Sequence, residues 1–231
     1  MNNLITYFRE RINFPMWIIL SLLLYWLGAG DVHTDYRSIG VVILISVFLI
    51  TMRLFDDLFS FKLDSKKENR SYTDRDVQKS LIIYVIISMI GLSAVTIVIE
   101  HHIGAALVSY FVGNFVLYLL LFKFEFFRFL LPLVKYAFVA ALLMEELTVL
   151  PLALLAMFVL FELIDDNKSN VIVKMALLTA AYLLLVSISN FSEDLILHVV
   201  AYTASAILLF FNWKFIPYFI IILFFTIRII I

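Results

Sequence analysis

The chain has 231 residues, of which 64% are hydrophobic and 23 are phenylalanine, and its net charge is −1. Soluble domains are nearer about 45–50% apolar, so a mean hydropathy of +1.06 excludes an ordinary soluble domain and predicts an integral membrane protein. With no cysteine there is neither a disulfide nor a thiolate nucleophile, and a charge near zero carries no nucleic-acid signature.

Apolar runs of about 20 residues span a bilayer as helices, and no run here alternates with period 2 as a barrel strand must. The expected fold is therefore an all-α integral membrane bundle of about nine transmembrane helices, one domain over 1–231. The predicted spans are 14–29, 39–61, 78–99, 103–122, 128–144, 148–164, 171–190, 194–212 and 214–231. Two arginines precede the first run, in "MNNLITYFRERINFP", but no small-residue cleavage site ends it, so it reads as an uncleaved helix. The break at Glu145-Glu146 is argued from length. Without it, Pro132 to Ile164 would make one helix of roughly 50 Å, against a hydrocarbon core of about 30 Å. It would also place two carboxylates at mid-depth, each costing at least about 2.5 kcal/mol. Pro15, Pro132, Pro151 and Pro217 then all fall near predicted helix starts, where proline is tolerated.

Starting from a cytoplasmic N-terminus and alternating puts fifteen of the 17 Lys and Arg on the inside, leaving Arg37 and Arg228 outside. The expected location is the cell inner membrane, multi-pass, with acidic outer loops. Two acidic clusters come to the cytoplasmic side. The first, "RLFDDLFSFKLDSKKENR" (53–70), sets Asp56, Ser60 and Asp64 four residues apart on one helical face, with Asp57 beside them. The second, "FELIDDNKSN" (161–170), sets Glu162 and Asp166 four apart, with Lys168 and Lys174 following.

Carboxylates on two faces with cations nearby suit an organic diphosphate held through Mg²⁺. The metal bridges carboxylate and phosphate oxygens, and Lys and Arg take up the remaining charge. An apolar bundle beneath such a headgroup can house a hydrocarbon tail, and a polyprenyl diphosphate has both parts. The plainer alternative is a solvated loop whose charges only satisfy the positive-inside rule. Asn114, deep in the fourth predicted helix, lines the substrate cavity or makes an interhelical hydrogen bond. Glu145-Glu146 lacks the arginine of intramembrane Glu-Glu-x-x-x-Arg proteases and reads as an outer loop. His101, His102 and His198 lack metal-ligand spacing and read as polar contacts. No phosphate-cradling glycine loop or catalytic triad is present.

On these residues the chain resembles the UbiA-type membrane prenyltransferase superfamily, as a divergent member. That family has nine helices, with a motif near N/D-x-x-x-D-x-x-x-D after the second and D-x-x-x-D after the sixth. Here "DDLFSFKLDSKKENR" offers Asp56, Ser60, Asp64 and Arg70, and the second motif is matched as Glu162-x-x-x-Asp166. "RLFDD" and "YFRERINFP" look like a branch with R-x-x-D-D/E at this point. Ser60 replaces the central aspartate, and "NRSYT" lacks the usual Arg-Pro. The resemblance implies a Mg²⁺-dependent transferase that moves a prenyl group from its diphosphate to a lipophilic or aromatic acceptor. Asp56, Asp64, Glu162 and Asp166 would be catalytic metal ligands supported by Asp57, with Arg53, Arg70, Lys168 and Lys174 on the diphosphate. A terpene cyclase using the same cation chemistry, or a non-catalytic lipid-binding or transport accessory protein, are the alternatives.

Overall fold

The computed structural model describes residues 5, 7–9, 12, 14–29, 35–64, 75–143, 149–165, 170–187, 195–211, 216, 219–220 and 222–223; at 29, 61–64, 75, 165, 195–197 and 210 it describes backbone only. Among the described residues there is no strand. Eight helices follow in order: α1 Phe14–Ala29, α2 Tyr36–Asp64, α3 Arg75–Ile99, α4 His101–Leu121, α5 Glu125–Leu143, α6 Leu150–Asp165, α7 Val171–Val186 and α8 Leu195–Phe210. Helical residues at 216, 219–220 and 222–223 fall in the ninth predicted span, and the rest of 212–231 lies outside the described residues. Among the described residues four helices are long and apolar enough to cross a membrane: α2, α3, α4 and α5.

Helix ends differ from the predicted spans where capping outweighs hydropathy. α2 begins at Tyr36 rather than 39 because Asp35 caps it, its carboxylate accepting from the Ser38 amide at 2.8 Å. Asn170 caps α7 in the same way, accepting from the Ile172 amide at 3.2 Å. α5 begins at Glu125, so Pro132 lies inside the helix and not near its start, as the span 128–144 had implied. It removes one backbone hydrogen bond from the helix interior. The break predicted near Glu145-Glu146 does separate two helices, since α5 ends at Leu143 and α6 starts at Leu150, with Pro151 in its first turn. Glu145 and Glu146 themselves lie outside the described residues.

The helices cluster into two compact units, Met1–Leu22 with Thr34–Lys135, and Leu23–His33 with Tyr136–Ile231. In the first, α2 packs on α3 and α3 on α4. α2 also meets α4 through rings: Phe48 with Tyr110 and Phe111, and Phe55 and Phe59 with Phe115 and Tyr118. Over its most apolar stretch α2 is 56% buried and α3 only 17%. α2 is thus the central helix of this unit, and α3 turns Ile82, Ile83, Ile86, Ile87 and Ile90 outward. An isoleucine-rich outer face is the reverse of a water-facing helix and is what a bilayer solvates.

In the second unit α6 packs on α7 and α7 on α8. Ala153, Leu154, Met157 and Leu160 of α6 are fully buried, and Phe158 stacks on Tyr136 with ring centroids 3.7 Å apart. Between α7 and α8, Tyr182 donates to the His198 carbonyl at 2.8 Å, and the Thr179 and Tyr202 hydroxyls lie 2.8 Å apart. The Tyr182 hydroxyl also stands 3.3 Å from His198 Nδ1, so the imidazole takes part in this interhelical contact.

Candidate functional site

The first acidic cluster forms on α2 because its apolar stripe keeps helical phase into charged sequence. Ile45, Phe48, Leu49, Met52 and Phe55 are buried at spacings of three and four, and Asp56 falls next in that phase. Asp56 and Asp57 are consequently buried, at 4% and 3% exposure. Two buried carboxylates need partners, since an unpaired charge in an apolar interior costs several kcal/mol.

Each has them. The Lys135 ammonium donates to Asp56 Oδ2 at 2.6 Å, and the Tyr118 hydroxyl donates to Asp56 Oδ1. The Tyr7 hydroxyl donates to Asp57 Oδ2 at 2.7 Å, while Arg53 stands 3.6 Å from Asp57 Oδ1, one turn earlier on α2. Three other segments are thereby tied to α2: the N-terminal segment through Tyr7, α4 through Tyr118 and α5 through Lys135. Phe8, next to Tyr7, meets Tyr84 of α3 edge-on at 5.9 Å.

Tyr7, Tyr118 and Lys135 are the members of this cluster that sequence reasoning missed. Lys135 was counted only as an inner-side cation, yet it lies four residues from both Leu131 and Val139, which are buried, and is itself 3% exposed. A lysine in phase with a buried stripe was the available signal. Tyr118 continues the buried stripe Gly104, Leu107, Phe111, Asn114 of α4 and could have been found in the same way.

The remaining predicted positions are placed as follows. Ser60 is half-buried on α2. Asp64 is the last residue of α2, so Asp56, Ser60 and Asp64 do share one face of a continuous helix. The Asp64 side chain, Arg70, Asp166 and Lys168 lie outside the described residues. Glu162 and Lys174 belong to the second unit: Glu162 is half-buried near the end of α6, and Lys174 is buried in the first turn of α7. Neither stands free of interactions. Asn114 is buried on α4, and among the described residues both its carboxamide atoms lack a hydrogen-bond partner.

Whether these residues fit Mg²⁺ turns on the carboxylate oxygens. Both oxygens of Asp56 are engaged by protein donors, and the lysine ammonium occupies the position a metal would need. Asp57 is hydrogen-bonded through one oxygen and faces Arg53 with the other. Asp56 and Asp57 thus do not fit as magnesium ligands in this arrangement. Among the described residues no three His, Asp or Glu side chains gather into a metal-binding group.

No family model matches the chain, and no curated protein or solved structure matches it either.

Proposed function

We propose that the chain is a multi-pass integral membrane protein of nine spans that binds a prenyl diphosphate and moves its prenyl group to a lipophilic or aromatic acceptor. The observation that carries this is the unbroken helix Tyr36–Asp64. Its 29 residues extend roughly 44 Å, more than the hydrocarbon thickness of about 30 Å. A helix that spans the membrane from Tyr36 therefore brings Ser60 and Asp64 to the polar interface, where Arg70 follows in sequence. Here Asp56 and Asp57 are positioning residues that fix α4, α5 and the N-terminal segment around α2. Asp64 is left as the carboxylate of this motif able to meet a diphosphate through Mg²⁺.

The test is direct binding. Purified protein in nanodiscs is expected to bind farnesyl diphosphate saturably with Mg²⁺ present. Asp64→Ala is expected to weaken that binding at least about tenfold, the loss of one strong ionic ligand. The closed pairing of Asp56 and Asp57 favours a second reading, a non-catalytic membrane protein whose buried charges serve architecture alone. Absence of saturable binding both with and without Mg²⁺ would establish that second reading instead.

Sidedness is a separate expectation, resting on fifteen cations against two. The protein has no native cysteine, so single cysteines at Ser65, Ser169 and Glu146 report cleanly to an impermeant thiol reagent on intact cells. Glu146→Cys should label while Ser65→Cys and Ser169→Cys stay protected until the cells are opened. Labelling of Ser65→Cys and Ser169→Cys from opposite sides would refute the nine-span topology.

A further inference from the structure

The geometry points to Asn114 as the binding point for the hydroxyl of a lipophilic alcohol or phenol, a site that needs neither metal nor diphosphate and stands apart from the transferase reading. Asn114 is 3% exposed, and among the described residues neither its Oδ1 nor its Nδ2 has a hydrogen-bond partner. Buried carboxamides are ordinarily paired, and an orphaned one loses the hydration it had in the unfolded chain. Both functions are orphaned here, one acceptor and one donor group. A hydroxyl complements both through a single oxygen, accepting from Nδ2 and donating to Oδ1.

Charge narrows the class further. One turn along α4, Tyr118 holds Asp56, and among the described residues Lys135 pairs with Asp56 and Arg53 with Asp57. The carboxamide is itself uncharged and supplies no counter-ion, so a neutral head suits Asn114. The surroundings set the body of the ligand. Along α4, Tyr110 and Phe111 precede Asn114 and meet Phe48, while Phe115 and Tyr118 follow it and meet Phe55, with centroids 5.0–6.5 Å apart. Phe115, the neighbour of Asn114 in sequence, is 48% exposed on the apolar outside of α4. Rings this dense along α4 and α2 favour an unsaturated or aromatic body over a saturated one.

An ordered water has the same hydroxyl chemistry, and the experiment separates the two. Wild-type protein and Asn114→Leu, which keeps side-chain volume and removes the amide, are reconstituted in nanodiscs without Mg²⁺. Tritiated farnesol is titrated against each, with the hydrocarbon of the same skeleton as competitor, and melting temperatures are recorded. The expected result is saturable farnesol binding to wild type, about tenfold weaker in Asn114→Leu, as loss of a hydrogen-bonded pair implies. The hydrocarbon should compete poorly, and the variant should melt no lower than wild type. Equal binding to both proteins overturns the inference, as does no saturable binding to either, which leaves the amide to water alone. A lower melting temperature in Asn114→Leu assigns the amide to an internal structural bond and also overturns it. Failure of farnesyl diphosphate binding leaves this result untouched, because no step here uses diphosphate.

Discussion

Lys135→Met is expected to destabilise the protein by about 3–5 kcal/mol, the usual cost of stranding one partner of a buried ion pair. Methionine replaces the aliphatic stem of the lysine, so the loss is electrostatic rather than a cavity. What remains is Asp56, buried on α2 with the Tyr118 hydroxyl as its hydrogen-bond donor among the described residues. Asp56→Leu alone is expected to be costly for the mirror reason, since it strands the Lys135 ammonium. The double variant, Asp56→Leu with Lys135→Met, removes both charges together and should recover most of the loss, so the coupling should exceed either single effect. Denaturant-induced unfolding of the four proteins in one detergent gives this cycle. Additive single effects would show that the pair is not formed in the folded protein. Near-complete recovery would mean that the pair specifies how α5 seats on α2 without adding net stability.

That cycle bears on function as well. If Mg²⁺ were to occupy Asp56, the Lys135 ammonium would have to leave an oxygen that it contacts at 2.6 Å. Two cations cannot share that position, so a metal-loaded Asp56 and a Lys135-paired Asp56 are alternative states of one carboxylate. Placing the diphosphate end at Asp64 avoids the conflict and agrees with α2 continuing to that residue.

The helices were legible in the sequence because each apolar run is long and most are closed by charged residues. Their ends were less so. Asp35 and Asn170 begin helices by accepting backbone hydrogen bonds, a signal that hydropathy does not register. The acidic face of α2 was legible from its spacing of four, but its partners were not. Lys135 is 79 residues from Asp56 and Tyr118 is 62, and nothing local links them. The phase of each residue within its own buried stripe did carry information, and it marks Asp56, Lys135, Asn114 and Tyr118 as interior. The same phase sets Asp56 among buried residues of α2, where Lys135 and Tyr118 engage it. Asn114 is expected inside and is buried, with neither carboxamide atom hydrogen-bonded among the described residues.

Opposite signs are expected at two glycines of α4. Gly104→Ala should destabilise by about 1–3 kcal/mol and Gly113→Ala should stabilise by about 0.4–1 kcal/mol. Only Glu100 separates α3 from α4, in extended conformation at φ −149° and ψ 103°, so the two helices start their contact at close range. The Glu100 amide still bonds the Thr96 carbonyl at 2.8 Å, and the Gly104 amide bonds the Glu100 carbonyl at 3.0 Å. A Cβ on Gly104 would stand 2.6 Å from both the amide nitrogen and the Cα of Ile97. Backbone cannot rotate away as a side-chain tip can, so the hairpin would have to open. Alanine is the better helix former by about 1 kcal/mol, and that gain only partly offsets the collision. At Gly113, two and a half turns along the same helix, an added Cβ meets nothing within 4 Å, so the propensity gain stands alone. Melting both variants in one detergent compares them within a single helix. Two shifts of the same sign would mean that α3 and α4 do not approach as closely as Gly104 requires.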